Sequence, residues 1–262
     1  MSPPTPLIET VDVKKAYGAF IALNGVSLTV ADGEMVSIVG PNGAGKTTLV
    51  NVLTGLLKPT SGVVRFKGDD IAGIGPVKLA KHGMARAFQL VHIFPEMTVA
   101  ETIGVAVISQ TARSLDFLSS IGSDAAVREK VREVAAIFGL DGKLDAQTRL
   151  LSQGEKKLLD IASAFALVPE VILLDEPTSG VASGDKHGIM KTLIDAAQRA
   201  GVKAIILVEH DMDLVAEYSS RIVAIQAGRV LADRKPDDFF SDPEIIAAIV
   251  GKPVGKHAVR AA

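Results

Sequence analysis

The residues with the clearest chemical potential lie in the glycine-rich stretch GPNGAGKTT, which begins at position 40. It follows a short apolar segment and precedes a helical pattern, the context in which G-x-x-x-x-G-K-[ST] binds phosphate. Backbone N–H groups can surround phosphate oxygens, the lysine can neutralise the β and γ phosphates, and the threonine after it can ligate Mg²⁺. A glycine-rich turn followed by chance by lysine is the plainer alternative. We predict that the nucleotide-binding residues are Asn42, Gly43, Ala44, Gly45, Lys46, Thr47 and Thr48.

Two adjacent carboxylates and a histidine follow later apolar runs. In VILLDEP, Asp175 ends a strand pattern and is placed to hold magnesium, whereas Glu176 is placed to polarise a water against the γ-phosphate. In ILVEHD, His210 follows another apolar run and is a candidate to donate to the γ-phosphate or to orient Glu176. A solvated strand end and a structural histidine are the alternatives. The presence of the phosphate motif with Lys46 in the same chain favours the chemical interpretation.

The segment LSQGEKKLLDIASAFAL begins with a small polar cluster and continues as an amphipathic helix pattern. Ser152 and Glu155 match a capping box, in which each side chain pairs with a backbone N–H at the helix start. This structural role is sufficient to explain both residues. The second interpretation is that the positive helix end, which Gly154 leaves accessible, faces a phosphate.

The surrounding elements predict an α/β fold. Near-continuous apolar runs such as EVILLDEP and KAIILVEH are typical of strands buried on both faces of a parallel sheet, and a helical pattern between them completes a βαβ unit. Strand patterns near the start predict an N-terminal antiparallel β subdomain. RIVAIQAGRVLAD predicts a hairpin around Ala227 and Gly228, and Asp242-Pro243 predicts the start of a last helix. Residues of about 90 to 150 carry helical patterns, which we interpret as a helical subdomain inserted into the core.

The composition limits the classes of function. The chain has 262 residues, and its 28 Lys plus Arg nearly balance 30 Asp plus Glu, so we expect no nucleic-acid partner. It has no cysteine, which excludes disulfides, thiolate catalysis and zinc–thiolate sites. The N-terminal MSPPTPLIET does not resemble a secretory signal, and the apolar runs are shorter than the roughly 20 residues that cross a bilayer. Work at a membrane would therefore require another chain.

Taken in order, GPNGAGKTT, the pair Phe88 and Gln89, LSQGE, LLDEP and VEHD resemble the ATP-binding subunits of ABC transporters. The resemblance covers about residues 7 to 251 as one ABC domain, with a P-loop NTPase core and a mainly parallel sheet. Residues 252–262 are expected to form a mobile tail. Small GTPases and nucleotide kinases share the first motif but not the later ones.

The resemblance implies roles that the residues alone do not establish. Ser152 and Gly154 would face the γ-phosphate held by a second ABC subunit, identical or related, so that ATP lies between two chains. Tyr17 would stack on adenine, although a tyrosine packed at a strand end is the alternative. Gln89 would contact Mg²⁺ or the attacking water and begin the loop into the helical subdomain.

More narrowly, the segment around Gln89 and VEHDMDLV are similar to the ATP-binding subunits of branched-chain amino acid importers. That similarity implies ATP hydrolysis, integral membrane permeases, an indirect link to a periplasmic or extracellular solute-binding protein, and a peripheral position on the cytoplasmic face of the inner membrane. Cargoes in that group include hydrophobic amino acids, amides and carboxylates. An exporter subunit and a soluble ABC ATPase remain alternatives, and genomic neighbourhood would discriminate among them.

The chain departs from the usual ABC pattern at three positions. Gln153 replaces a glycine, and Glu155 replaces a glutamine, which adds negative charge near the phosphate of the second chain. Lys156 and Lys157 are expected to offset that charge. Ala182 stands where many ABC proteins have an aspartate that bridges the two sites, so communication between sites is expected to be weaker or differently made.

Overall fold

A computed structural model of the chain describes residues 6–87, 94–110 and 124–250. Within these ranges the strands form two sheets. In chain order the strands are β1 (Ile8–Tyr17), β2 (Phe20–Val30), β3 (Met35–Val39), β4 (Ser61–Phe66), β5 (Asp69–Asp70), β6 (Met84–Arg86), β7 (Val171–Asp175), β8 (Ala204–Val208), β9 (Arg221–Gln226) and β10 (Arg229–Arg234).

The larger sheet has the strand order β10-β9-β3-β8-β7-β6. All neighbours in it are parallel except β9 and β10, which form an antiparallel hairpin. The smaller sheet, β2-β1-β4-β5, is antiparallel throughout. The predicted mainly parallel core and N-terminal antiparallel sheet are therefore confirmed.

Helices follow most of the core strands. In chain order the described α-helices are α1 (Lys46–Leu53), α2 (Pro76–Lys81), α3 (Val99–Gln110), α4 (Ala125–Ile137), α5 (Gln153–Phe165), α6 (Ser183–Ala200), α7 (Met212–Tyr218), α8 (Pro236–Phe240) and α9 (Pro243–Val250). The βαβ unit predicted from the two apolar runs is β7-α6-β8, and its strands pair in parallel. The predicted helix start at Asp242-Pro243 is confirmed by α9.

The large sheet has an apolar core on each face. Alternate residues of β7 point to opposite sides: Ile172 and Leu174 pack with α3 to α6, whereas Val171 and Leu173 pack with α1 and the antiparallel sheet. Helix α1 therefore lies among buried apolar side chains on the side of the antiparallel sheet. This packing fixes the start of α1 at the carboxyl edge of the sheet, next to the ends of β7 and β8.

Some elements were not predicted. β6 has three residues, and α2, α7 and α8 have six, seven and five, so none is long enough to show a clear hydrophobic period. Gln89, the junction at position 90 and the tail 252–262 lie outside the described residues. In the part of the chain that the structure describes, no helix has the length and apolar character needed to span a membrane.

Candidate nucleotide site

The glycine-rich loop connects β3 to α1, as the sequence predicts. Gly45 precedes α1 with φ of 106°, and a Cβ there would lie 2.5 Å from the carbonyl oxygen of Ala22 in β2. Gly43 also has a positive φ, 78°. Side chains at these two positions would be strained or would clash, so the loop keeps its backbone exposed to a ligand. Helix α1 begins without a side-chain cap, and its first-turn N–H groups are therefore suited to an anion.

Lys46 is buried at the start of α1. Its Nζ donates hydrogen bonds to the carbonyls of Gly40, at 2.7 Å, and Pro41, at 3.1 Å. Burial lowers the pKa of Lys46, and the charges of Glu176 and Asp175 partly oppose that change. An arriving phosphate would supply further negative charge next to this ammonium. The same interactions show that the structure brings Lys46 close to both predicted carboxylates.

Asp175 ends β7 and belongs to a mostly shielded ion pair. Arg86 Nη2 lies 2.7 Å from Asp175 Oδ2, and Arg86 Nη1 donates to Asn51 Oδ1 at 2.7 Å. Arg86 ends β6, and Asn51 lies in α1, so three elements meet at this carboxylate. The second Asp175 oxygen does not take part in the Arg86 contact, which leaves it suited to a water or a cation.

Glu176 has a backbone conformation that is rare for a residue other than glycine, with φ of 51°. Such a conformation costs about 1–3 kcal/mol and is typical of functional sites. Its N–H donates to the carbonyl of Val208 at 2.9 Å, and Lys157 Nζ donates to its carbonyl at 3.1 Å. Glu176 Oε1 lies 2.9 Å from His210 Nε2. The predicted base and the predicted histidine are therefore in direct contact.

The residues present fit a magnesium ion that arrives with a nucleotide. Among the described residues, no group of three or more His, Cys, Asp or Glu lies together that could hold a metal unaided. Magnesium usually takes only one or two protein carboxylates and completes its shell with phosphates and waters. The oxygen donors of Thr47 and Asp175 match this chemistry.

The segment LSQGE forms the start of α5, and the predicted capping box is confirmed. Ser152 Oγ accepts from the N–H of Glu155 at 3.3 Å, and Glu155 Oε2 accepts from the N–H of Ser152 at 2.9 Å. Glu155 Oε1 accepts a short hydrogen bond from Lys143 Nζ. This bond and the one from the Ser152 backbone lower the pKa of Glu155. Lys143 therefore pairs with this charge, whereas Lys157 contacts the carbonyl of Glu176. The offset expected from Lys156 and Lys157 stays a prediction.

Two adjoining cavities separate the helix start from the carboxylate of Glu176. One, of about 630 Å³, is lined by Ser152, Gly154, the loop 180–182 and the start of α6. The other, of about 390 Å³, is lined by Glu176, His210 and the same loop. No residue of the glycine-rich loop lines either cavity. Ser152 and Gly154 thus face a different cavity from the one that contains Glu176 and His210.

A family model described as ABC transporter matches residues 23–179, which is more than half of the chain. The chain belongs to the ABC transporter family. It is similar to the high-affinity branched-chain amino acid transport ATP-binding protein BraF of Pseudomonas aeruginosa, with 34% identity over 94% of this chain and 98% of BraF. As a member of this family, the chain is an ATPase that functions in transport.

Solved structures of ABC cassettes support the same assignment. The ADP conformation of one ATP-binding cassette of an ABC transporter superposes with a TM-score of 0.83 and 32% identity, over 95% of this chain and 100% of the other. A dimeric cassette in a post-hydrolysis state bound to ADP and Pi gives a TM-score of 0.75 and 26% identity, over 87% and 98% of the two chains. The predicted P-loop NTPase fold is confirmed.

In this ABC chain, Tyr17 lies at the end of β1, and its residue is 48% exposed. It pairs with Phe20 across the hairpin, and Lys15 Nζ lies 5.4 Å from the centroid of its ring. The second strand of this hairpin contacts Gly45 through Ala22. Tyr17 is thus an exposed aromatic residue on the hairpin that contacts the glycine-rich loop, and its stacking on adenine stays a prediction.

Sequence reasoning missed three polar contacts around the predicted ABC site. Arg86 binds Asp175, Lys157 binds the backbone of Glu176, and the buried Glu209 binds the loops beside His210. A glutamate directly after five apolar residues was a readable signal for Glu209, because charged side chains are rarely buried without a partner. Arg86 and Lys157 gave no comparable signal, since basic residues are common on helix and strand ends.

Proposed function

We propose that this chain is the ATPase subunit of an importer of branched-chain or other hydrophobic amino acids, or of a related amide or carboxylate. The observation that carries the catalytic part is the contact of Glu176 with His210 next to Lys46 and Asp175. The cargo class rests on the name of BraF, a branched-chain amino acid transport ATP-binding protein.

Lys46 and the first turn of α1 would hold the phosphates of ATP. Lys46 would exchange its carbonyl partners for phosphate oxygens. Their negative charge would stabilise the ammonium, which burial disfavours. Thr47 and Asp175 would hold Mg²⁺, together with Gln89. The metal, when bound, supplies charge neutralisation at the phosphates. Tyr17 would stack on adenine.

Glu176 is the proposed general base. It would take a proton from a water whose oxygen bonds to the γ-phosphorus, while the bond from that phosphorus to the β–γ bridging oxygen breaks and ADP leaves. His210 would hold the Glu176 carboxylate through Nε2 and present it to the water. The left-handed backbone of Glu176 fixes the direction from which the carboxylate approaches.

We further propose that the active unit contains two ABC chains. Ser152 and Gly154 line a cavity that contains none of the residues proposed to act on the chain's own nucleotide, and this supports a role at the nucleotide of a second chain. A similar cassette has been solved as a dimer with ADP and Pi. Mixing Ser152→Arg chains with Lys46→Ala chains tests the pairing, because one composite site in the mixed dimer is then intact. Recovery of ATP hydrolysis supports it, whereas a mixture as inactive as each variant alone argues against it.

Membrane permeases are the proposed partners, with an indirect link to a solute-binding protein outside the membrane. The chain would act as a peripheral subunit on the cytoplasmic face. The inserted helical subdomain, about residues 90 to 150, would contact the permease. Copurification from solubilised membranes, followed by mass spectrometry, identifies the bound chains.

Transport by the purified complex in proteoliposomes tests the cargo. ATP-dependent uptake of radiolabelled leucine, absent from complexes with Lys46→Ala, is the expected result. Unlabelled amides and carboxylates added as competitors rank the cargo classes. ATP-dependent export of a lipid or drug, with no uptake of any of these solutes, would overturn the import assignment.

A further inference from the structure

Glu209 is a buried carboxylate that the proposed roles of Glu176 and His210 do not use. It follows β8 directly, and its residue is only 4% exposed. Burial of a carboxylate is costly unless hydrogen bonds replace the lost water. The hydrogen bonds that the structure gives this side chain come from the uncharged donors of two loops. A group of this cost at the edge of a site calls for a specific role.

Each carboxylate oxygen of Glu209 holds a different loop. Oε1 accepts from Thr178 Oγ1 at 2.5 Å and from Thr178 N at 3.3 Å. Oε2 accepts from the N–H groups of His210, at 2.9 Å, and Asp211, at 3.4 Å. Thr178 lies two residues after Glu176, and its residue is 1% exposed. One side chain therefore ties the loop of the proposed base to the loop of the histidine.

The same two loops meet a second time at the catalytic contact. Glu176 Oε1 lies 2.9 Å from His210 Nε2, and all of these residues line the cavity of about 390 Å³. The contact of Glu176 with His210 is half-exposed, whereas the bonds of Glu209 are buried. The buried bonds are therefore the better anchor for the distance between the two loops.

We propose that Glu209 is a positioning residue for ATP hydrolysis, which holds Glu176 and His210 at their working separation through Thr178 and the His210 backbone. The inference rests on the proposed function, because it assumes that Glu176 and His210 act in catalysis. Glu209 does not touch the nucleotide. It should consequently affect turnover more than ATP binding.

The test compares Glu209→Gln with two changes at its partner. An amide has only one accepting oxygen, so Glu209→Gln turns an N–H donor toward at least one of the N–H groups that now converge on the carboxylate. Thr178→Val removes one donor, and Thr178→Ser keeps it. Thr102→Val is the matched control, because the buried hydroxyl of Thr102 donates to the carbonyl of Thr98, just before α3, and takes no part in the contacts of Glu209.

ATP hydrolysis, the KM for ATP and the melting temperature are measured on each purified full-length chain, with the natural partner chain where hydrolysis requires it. We expect Glu209→Gln and Thr178→Val to lower kcat at least about tenfold, since small misplacements of catalytic groups have large effects. KM should stay within about twofold of wild type. Thr178→Ser should recover most of the kcat lost in Thr178→Val. The double variant should lose little more than the worse single variant, because both act through one contact.

Two results would overturn the proposal. The first is a folded Glu209→Gln with kcat within about twofold of wild type. The second is that Thr102→Val loses as much kcat as Thr178→Val, with a similar fall in melting temperature, because the loss would then reflect stability and not positioning. Glu176→Gln, measured in parallel, separates the two levels of inference. If Glu176→Gln hydrolyses ATP at the wild-type rate, Glu176 is not the base. If Glu176→Gln loses hydrolysis and Glu209→Gln keeps the wild-type kcat, only the positioning role of Glu209 is refuted.

Discussion

The substitution Glu176→Gln removes the charge of the proposed base and little else. Glutamine has nearly the shape of glutamate, and its amide oxygen can keep the 2.9 Å contact with His210 Nε2. The hydrogen bonds that hold this backbone, to the carbonyl of Val208 and from Lys157, do not involve the side chain. The folded structure should therefore be unchanged, and the melting temperature should stay close to that of wild type.

The size of the effect follows from what the charge does. A general base contributes about 10²- to 10⁴-fold to a rate, so we expect kcat to fall at least about 100-fold. Glu176 and Asp175 both oppose the effect of burial on the pKa of Lys46, and the effect of Glu176 is the larger. ATP brings phosphate charge to the same ammonium, so binding should survive the substitution. Loss of turnover with retained affinity is the expected signature.

Size-exclusion chromatography with light scattering measures the consequence for assembly. If ATP lies between two chains, the closed pair binds ATP better than the separate chains do, and blocked hydrolysis traps the pair. Glu176→Gln should form an ATP-dependent dimer, or a complex with its natural partner ATPase, whereas ADP should not produce it. Hydrolysis at the wild-type rate would show that Glu176 is not the base. Lost turnover without ATP-dependent association would contradict the composite site instead.

Three further changes test contacts around the site. Lys157→Met should lower kcat about fivefold, because a hydrogen bond worth about 1 kcal/mol no longer holds the Glu176 loop. Steady-state kinetics measure this effect, with Lys156→Met as the control. Equal losses of kcat in both variants would exclude a specific role for the contact. Ser152→Ala should cost about 1 kcal/mol in urea unfolding, since it removes the N-cap of α5, and an unchanged midpoint would contradict that role. The hydrogen bond from Lys186, of 2.8 Å, is the main cause of the lowered pKa of Asp211. The stability that this pair contributes is therefore complete above the pKa of Asp211 in the unfolded chain, near 4, and is lost as the pH falls through its pKa in the folded chain. The loss of unfolding free energy in Lys186→Met, measured in urea, should therefore be largest at neutral pH and should shrink in acid. It should stay below about 1 kcal/mol, because both side chains are partly exposed. A loss independent of pH would refute the pairing.

The sequence predicted those parts of the site that depend on local spacing. Glycines, a lysine and a threonine within one short loop are enough to predict a phosphate-binding loop without any knowledge of the fold. Asp175 and Glu176 were found because they end a buried strand. The contacts that orient them were not predictable in this way: Arg86 and Asp175 are 89 positions apart, and Lys143 and Glu155 belong to separate elements. Such pairs depend on which short strand or turn packs next to which, and three-residue elements leave no hydrophobic period from which to infer it.

The strand order explains why the chemistry gathers at one edge. β8 lies between β3 and β7, so the loop with His210 stands between the glycine-rich loop and Glu176. The hydrogen bond from Glu176 N to the carbonyl of Val208 continues the pairing of β7 with β8 one residue past Asp175. At that residue φ becomes positive, so the chain leaves the strand direction where the Glu176 side chain reaches His210. The parallel sheet thus places Glu176, which follows β7, beside the histidine that follows β8, and the positive φ of Glu176 turns the chain away from the strand direction.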